Sequence, residues 1–483
     1  MNPNQARRVA LMTILAATYI GILDTHIVAS AAPTIERYFG ANGFDLQLVT
    51  GAYAIAYASC LIFGARLGDR LGYRRIFLGG LAAFGLASLA CAAAPSVAWL
   101  SWSRLAQGLA AALLLPQVLS LIRVMFPDDR ERAQAMGSYT AILGLGALSG
   151  QVVGGSLMAL FPDENGWRAI FAVNLPIVAL AWLAGARTIA RTPVNAQAIA
   201  DWTGAALLMG AIAMFLGGLI ALINGRAGVG AVILMASGIA LLAVFASTQR
   251  AIEARSGTPL VPPALFRDRA FRWALFAVLG LYVSAALQLV FTFYLQVAHG
   301  YSALRVALIF LPASFAFVVS SALSARLVAK LGFPLVWGSS IAASVLLAVL
   351  PMGLANVAAG AQSILMAGGL VLVGLAQGCV AGPLMAIVMS RVKPAMAGAG
   401  SGVLLTGMQL ANAIGIALLA GAFFSVADAG SPAAGLIAGL QLAVALSAVL
   451  TIPAALVLRK LPTMGAAPSN DAPPLATTGR QVR

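Results

Sequence analysis

The 483-residue chain predicts an all-α integral membrane protein with fourteen spans. Three observations carry this. Hydrophobic residues make up 61% of positions and charged residues 9%, where a soluble domain carries about 25% charged. Mean hydropathy is +0.96. Apolar runs of bilayer length, about 20 residues each, recur along the whole chain, with the few charges falling between them. A soluble enzyme needs more polar surface than this, and a disordered chain needs low hydrophobicity.

The first run, 9–32, follows Arg7 and Arg8 and has full spanning length, so it reads as a span rather than a cleavable leader. Five more follow at 46–66, 75–94, 98–124, 133–160 and 167–186. Two stand apart at 202–223 and 228–249. The last six are 272–296, 304–325, 335–354, 361–389, 398–424 and 433–458. The 22 prolines and 50 glycines fit this reading, since neighbouring membrane helices re-satisfy freed backbone groups.

The net charge is +15 and the pI about 10.7. Of the 29 lysines and arginines, Arg37, Arg168, Arg226 and Arg305 fall in or beside outer loops and Arg104 falls in a span. The others share one side with the N-terminus. That asymmetry is the positive-inside pattern; it accounts for the pI without nucleic acid and places both termini in the cytoplasm. The 26 arginines against 3 lysines, with abundant alanine, suggest a GC-rich bacterial genome, hence a bacterial inner (cytoplasmic) membrane. Cys60, Cys91 and Cys379 lie inside apolar runs, with no metal or disulfide spacing. No cofactor, metal or nucleic acid is expected.

Two stretches match at a fixed offset. Ala65, Arg66, Leu67, Arg70, Leu71, Gly72 and Tyr73 pair with Ala325, Arg326, Leu327, Lys330, Leu331, Gly332 and Phe333. Gln107 and Gly108 echo Gln377 and Gly378; Gly137 and Gly144 echo Gly400 and Gly407. The shared order points to parallel six-span repeats, the plan on which many transporters place substrate between two halves. The expected organisation is a first bundle over 1–190, two inserted linker helices over 191–255, a second bundle over 256–460 and a disordered cytoplasmic tail over 461–483.

The segment from Gly64 to Arg75 packs Asp69 among Arg66, Arg70, Arg74 and Arg75 in a tight turn, with Gly72 as the turn residue. It resembles the motif A loop of the major facilitator superfamily. The resemblance implies that Asp69, Arg70, Gly72, Arg74 and Arg75 form a cytoplasmic gate that latches the halves in the outward-open state. Ala65 and Tyr73 depart from the usual pattern, and Ala329 replaces the acid in the second copy. A plain topogenic loop is the competing reading.

The similarity extends to the 14-span drug:proton antiporter branch. Leu23 to Val28 with Pro33, Thr34 and Ile35 resembles its first-span motif, and Arg104 to Gly108 resembles motif B. Trp167, Arg168, Phe171, Asn174 and Pro176, then Asp201 to Gly204, resemble the starts of spans six and seven. Tyr294, Gln296, Gly300, Ser302, Leu311 and Pro312 match spans nine and ten. Gly146, Gly150, Gln151, Gly154 and Gly155 resemble the antiporter motif, with Gln151 where the family has Pro. Its glycines permit close helix packing and hinging, and packing alone would also explain them. The resemblance implies the major facilitator fold, two six-helix bundles plus two extra helices.

Asp24 is the one carboxylate placed within a span. An ionisable group there is costly unless paired or hydrated, and is a functional candidate by default: a proton carrier, a counter-charge for a cation, or the cap of a helix break. Arg104, implied by the resemblance to organise proton transfer, needs Asp24, carbonyls or water as partner; a structural ion pair competes with that role. His26 is a second proton-coupling candidate, or a structural or substrate-contacting histidine. It lies two residues from Asp24, about 200° around the helix. Tyr53, Tyr57, Gln107, Tyr139, Gln288, Tyr294, Gln409 and Asn412 are candidate cavity residues, although polar groups in spans also serve as interhelical glue.

These residues and the resemblance together imply a proton-coupled multidrug efflux transporter, a monomer in the lipid bilayer that exports neutral or monocationic amphipathic small molecules by alternating access. A dedicated exporter or importer of one metabolite, and a non-transporting receptor on a transporter fold, are the alternatives. No nucleophile–base pair or phosphate loop marks an enzyme.

Overall fold

The computed structural model describes residues 3–162, 165–192, 201–225, 228–256, 259–355, 359–392, 396–427 and 432–460. The expected tail, 461–483, and Arg226 lie outside them. Among the described residues there is no strand, and fourteen helices are long and apolar enough to cross a membrane. A helix satisfies its own backbone groups, which hydrocarbon cannot do.

The first half comprises α1 (Pro3–Phe39), α2 (Gly43–Leu71), α3 (Tyr73–Ala92), α4 (Val97–Met125), α5 (Asp129–Leu160) and one span split into α6 (Gly166–Ala172) and α7 (Asn174–Thr188). The inserted pair is α8 (Trp202–Ile223) and α9 (Gly228–Ser256). In the second half, α10 (Arg269–Tyr282) and α11 (Leu287–Ala298) make one span around a 3₁₀ turn at Val283–Ala286. Then come α12 (Ala303–Leu331), α13 (Pro334–Ala355) and α14 (Ala359–Ser390). α15 (Ala397–Gly415) and α16 (Gly421–Ala427) join through a π turn at Ile416–Ala420, and α17 (Pro432–Lys460) ends the described chain.

Local chemistry sets the helix starts. Asn42 and Asp45 form a reciprocal capping box on α2, and Ser96, Asp128, Asp201, Asp268 and Ser302 cap α4, α5, α8, α10 and α12. α1 runs well past the apolar stretch 9–32 at both ends, because helical hydrogen bonding continues where Arg7, Glu36 and Arg37 leave the hydrocarbon. The two repeated turns share their geometry: Gly72 has φ +92° and Gly332 φ +75°, a region that favours glycine.

The halves are built alike. α2 packs on α4 in the first and α12 on α14 in the second. They meet through exchanged partners, α5 on α12 and α2 on α15, with α1 against α11. The α8–α9 hairpin packs beside α2 and the π turn, and α9 presents Val229, Val232, Ile233 and Ile239 outward, a surface suited to lipid.

Candidate functional site

α1 carries Asp24 into the interior of the first half, where it is 0% exposed, and α4 brings Arg104, 2% exposed, beside it. Arg104 Nη1 donates to Asp24 Oδ2. It also donates to Gln107 Oε1 at 2.7 Å, and its Nε donates to the Val49 carbonyl at 3.3 Å. The guanidinium lies 4.5 Å from the Tyr53 ring centroid. Asp24 Oδ1 accepts from Gln107 Nε2 at 2.8 Å and from Asn174 Nδ2 at 2.9 Å. Gln107 Nε2 also donates to Ser88 Oγ at 2.9 Å. Three spans thus meet at the carboxylate, and two more reach it through Arg104 and Gln107. Its charge is balanced and its lone pairs are occupied, which a buried ion pair requires. Asn174 Oδ1 is buried with no hydrogen-bond partner.

Asn174 and Ser88 were not among the site residues expected from sequence. Their signal was there, a polar side chain inside an apolar run, but such residues are common interhelical glue. Gln107 was placed in the cavity; the structure commits it to Asp24 instead, because it lies one turn beyond Arg104 on the same helix face.

His26 faces the other way, as its 200° displacement from Asp24 requires. Its Nδ1 is 2.9 Å from Gln288 Oε1 on α11. Gln151 Nε2 of α5 donates to Thr292 Oγ1 at 3.1 Å, and Gln296 Nε2 donates to the Ser30 carbonyl at 3.0 Å. Gln288, Thr292 and Gln296 lie at i, i+4 and i+8, so one stripe of α11 is hydrogen-bonded to the first half on the side of the membrane opposite the basic face. The α5 glycines let α1 approach closely enough for this. An added Cβ at Gly150 would stand 2.7 Å from His26 Cβ, and one at Gly146 3.0 Å from Ile22. Gly154 abuts Ser30 and Ile27, and Gly155 abuts the backbone of Ala303 and Leu304 on α12.

At the basic face, Asp69 Oδ1 accepts from Tyr73 Oη at 2.8 Å, so the residue that departs from the usual pattern takes up the acid. Arg74 Nη2 donates to the Ala186 carbonyl at 2.6 Å and its backbone N–H to Thr192 Oγ1 at 3.3 Å. Arg66 Nη2 reaches the Pro259 carbonyl at 3.4 Å, tying this turn to the linker between the halves. The tight turn expected over Gly64–Arg75 is a single-residue corner: Arg70 lies in the last turn of α2 and Arg75 in the first turn of α3, with Gly72 alone between them.

A cavity of about 410 Å³ opens beside His26 and Gln288 and runs into the second half. Its walls are mostly apolar, and among the described residues no Asp, Glu, Lys or Arg lines it. Tyr53, Tyr57, Tyr139, Tyr294, Gln409 and Asn412 are not among its lining residues. Tyr53 and Tyr57 sit with ring centroids 5.9 Å apart, and Tyr57 and Tyr139 pack on the core of the first half. Tyr294 is buried with its ring 5.2 Å from that of His299. Gln409 and Asn412 lie on α15, against α2 and α10. Among the described residues no group of His, Cys, Asp or Glu could hold a metal ion.

Residues 10–416 match the family described as the Major Facilitator Superfamily. The chain is 32% identical to the "Probable actinorhodin transporter" of Streptomyces coelicolor, covering 88% of this chain and 74% of that protein. It is 34% identical to the "Puromycin resistance protein pur8" of Streptomyces alboniger, covering 86% and 82%. Among solved structures, a D-xylose–proton symporter superposes with a TM-score of 0.65 at 13% identity, over 94% of this chain and 97% of that one; that likeness concerns the fold.

Proposed function

The chain belongs to the Major Facilitator Superfamily, and we propose that within it this transporter exports amphipathic organic compounds across the bacterial cytoplasmic membrane in exchange for protons. The observation that carries the reading is the buried Asp24 carboxylate, shared by Arg104, Gln107 and Asn174 and separated from the cavity by the thickness of α1. The name of one relative, a puromycin resistance protein, favours the outward direction.

Protonation of Asp24 leaves Arg104 without its counter-charge but not without partners. When Asp24 is protonated, Arg104 keeps Gln107 Oε1, the Val49 carbonyl and the Tyr53 ring, partners that suit a weakly hydrated guanidinium. Turning the Asn174 amide by 180° would offer its unpartnered Oδ1 to the new carboxyl proton. Loosening the ion pair frees α1, which also carries His26 and Ser30 to the α11 stripe, so proton uptake is coupled to the contact between halves. With the basic face in the cytoplasm, that stripe closes the outer side, and the Asp69 turn serves as the inner gate.

The test is dye accumulation in a bacterial strain lacking its own major efflux pumps, with and without this protein. Lower steady-state accumulation of neutral and monocationic lipophilic dyes, lost on adding a protonophore, supports proton-driven export. Equal accumulation of every dye with the protein present in the membrane contradicts it.

A further inference from the structure

The second-half cavity lies where the first half keeps its ion pair. A Cβ on Gly108 would strike the Tyr53 carbonyl of α2, and one on Gly378 would strike the Phe317 carbonyl of α12. Each glycine follows a glutamine, Gln107 or Gln377. α4 and α14 are therefore equivalent helices with a defined register. Four residues before Gly108 stands Arg104; four before Gly378 stands Gly374, whose own place against the Ala313 carbonyl leaves no room for a side chain. α10, the 3₁₀ turn and α11, which form the first span of the second half as α1 does of the first, carry no Asp or Glu. Ser284, Gln288, Gly374 and Gln377 all line the cavity. The second half lacks both members of the pair and holds open space instead.

Gln377 makes the case for a ligand. Its counterpart Gln107 spends its amide on Asp24, Ser88 and Arg104. Gln377 faces the cavity and has no hydrogen-bond partner among the described residues. The aromatic rings of Phe291, Phe310 and Phe317 stand on the same walls. Nearby Ser344 Oγ and Thr451 Oγ1 are bonded to each other at 2.7 Å. α14 carries no Asp, Glu, Lys or Arg along its length.

We propose that this cavity is a binding subsite for uncharged amphipathic molecules, with the aromatic or alicyclic body held among the phenylalanines and a carbonyl or hydroxyl group taken by the Gln377 amide. This rests on the export reading and narrows its substrate class from neutral or monocationic to neutral. A cation would leave water for a pocket with no counter-charge, a cost that polar residues at bilayer depth normally avoid by pairing.

The test uses two probes of similar shape, triphenylphosphine oxide (uncharged) and methyltriphenylphosphonium (a cation), in equilibrium binding to the purified full chain in lipid nanodiscs. The oxide is expected to bind saturably and at least about tenfold more tightly than the cation. Gln377→Leu and Ser344→Leu should each weaken the oxide about fivefold or more, with the melting temperature checked for each variant. Gln377→Glu should reverse the preference by supplying the missing counter-charge. Equal affinity for the two probes, no saturable binding of the oxide, or unchanged oxide affinity in folded Leu variants would overturn the proposal. Dye efflux from cells reads the export proposal separately. Efflux without oxide binding sinks the subsite alone; oxide binding without efflux of any compound sinks the export reading and leaves the pocket standing.

Discussion

Gln151 Nε2 donates to Thr292 Oγ1 at 3.1 Å across the seam between the halves. Gln151 stands where the resembled antiporter motif has proline, so a residue that would have kinked α5 is replaced by one that reaches the other half. It is the middle rung of three, between His26–Gln288 and Gln296–Ser30. An interhelical hydrogen bond in a membrane protein contributes about 0.6 kcal/mol on average, close to a threefold change in an equilibrium. Gln151→Leu is expected to shift the population toward the outer-open arrangement by about that factor. Pulsed EPR distances between spin labels at Leu160 and Val297 would show a larger long-distance fraction; an unchanged distribution would mean the rung does not hold the seam.

The α5 glycines differ in what surrounds them, and that difference is measurable. Gly150→Ala drives a methyl group against His26 and should cost about 1–3 kcal/mol through overpacking. Gly137, on the same helix, has open space around the position of a Cβ. Gly137→Ala should therefore be neutral or stabilising by up to about 1 kcal/mol. Melting temperatures in one detergent would separate the two; similar destabilisation by both would show that α5 is not packed as described.

Truncating either member of the buried pair strands the other. Asp24→Asn leaves Arg104 with a carbonyl, an amide oxygen and an aromatic face but no counter-charge. Arg104→Leu leaves Asp24 with two amide donors but no cation; each single loss is about 3–5 kcal/mol. The Arg104→Leu chain should express poorly, and adding Asp24→Asn to it should restore expression and thermal stability. A double variant no better than Arg104→Leu alone would show that the pair is not the source of the loss.

Much of this architecture was legible in the sequence. Span positions were, because twenty apolar residues in a row have few other uses. Asp24 and Arg104 stood out because a charge inside such a run is rare, and Gln288 because it is a polar side chain within a span. The allegiance of Gln107, the role of Asn174 and the stripe Gln288–Thr292–Gln296 were not legible. The i, i+4, i+8 spacing was present, but its partners lie more than a hundred residues away, and only the packing of the halves names them. A cavity leaves still less trace, since it is recorded as the absence of large or charged side chains; Gly374 opposite Arg104 becomes meaningful once Gly378 and Gly108 are seen to make the same close approach.

One pH effect is independent of transport. His299 lies past the end of α11, outside the spans, half-buried against Tyr294 and Tyr301 at 5.2 and 5.4 Å between ring centroids. Burial holds its pKa below the ordinary 6.5, and its Nε2 has no partner. The unfolded chain therefore binds the proton first, so the stability this residue contributes is present above pH 6.5 and is lost as pH falls below it. His299→Phe should flatten the decline of melting temperature between about pH 7 and pH 5. A decline as steep as that of the unmodified chain would assign the effect elsewhere.

The central claim is that the Asp24 carboxylate carries the coupled proton. It is tested most directly in inverted membrane vesicles holding an imposed pH gradient, with a pH-sensitive dye inside and a panel of uncharged and monocationic lipophilic compounds added outside. The account predicts that transported compounds discharge the gradient through the unmodified protein and leave it intact with Asp24→Asn at equal protein level. Discharge by the Asp24→Asn protein at the unmodified rate would contradict it.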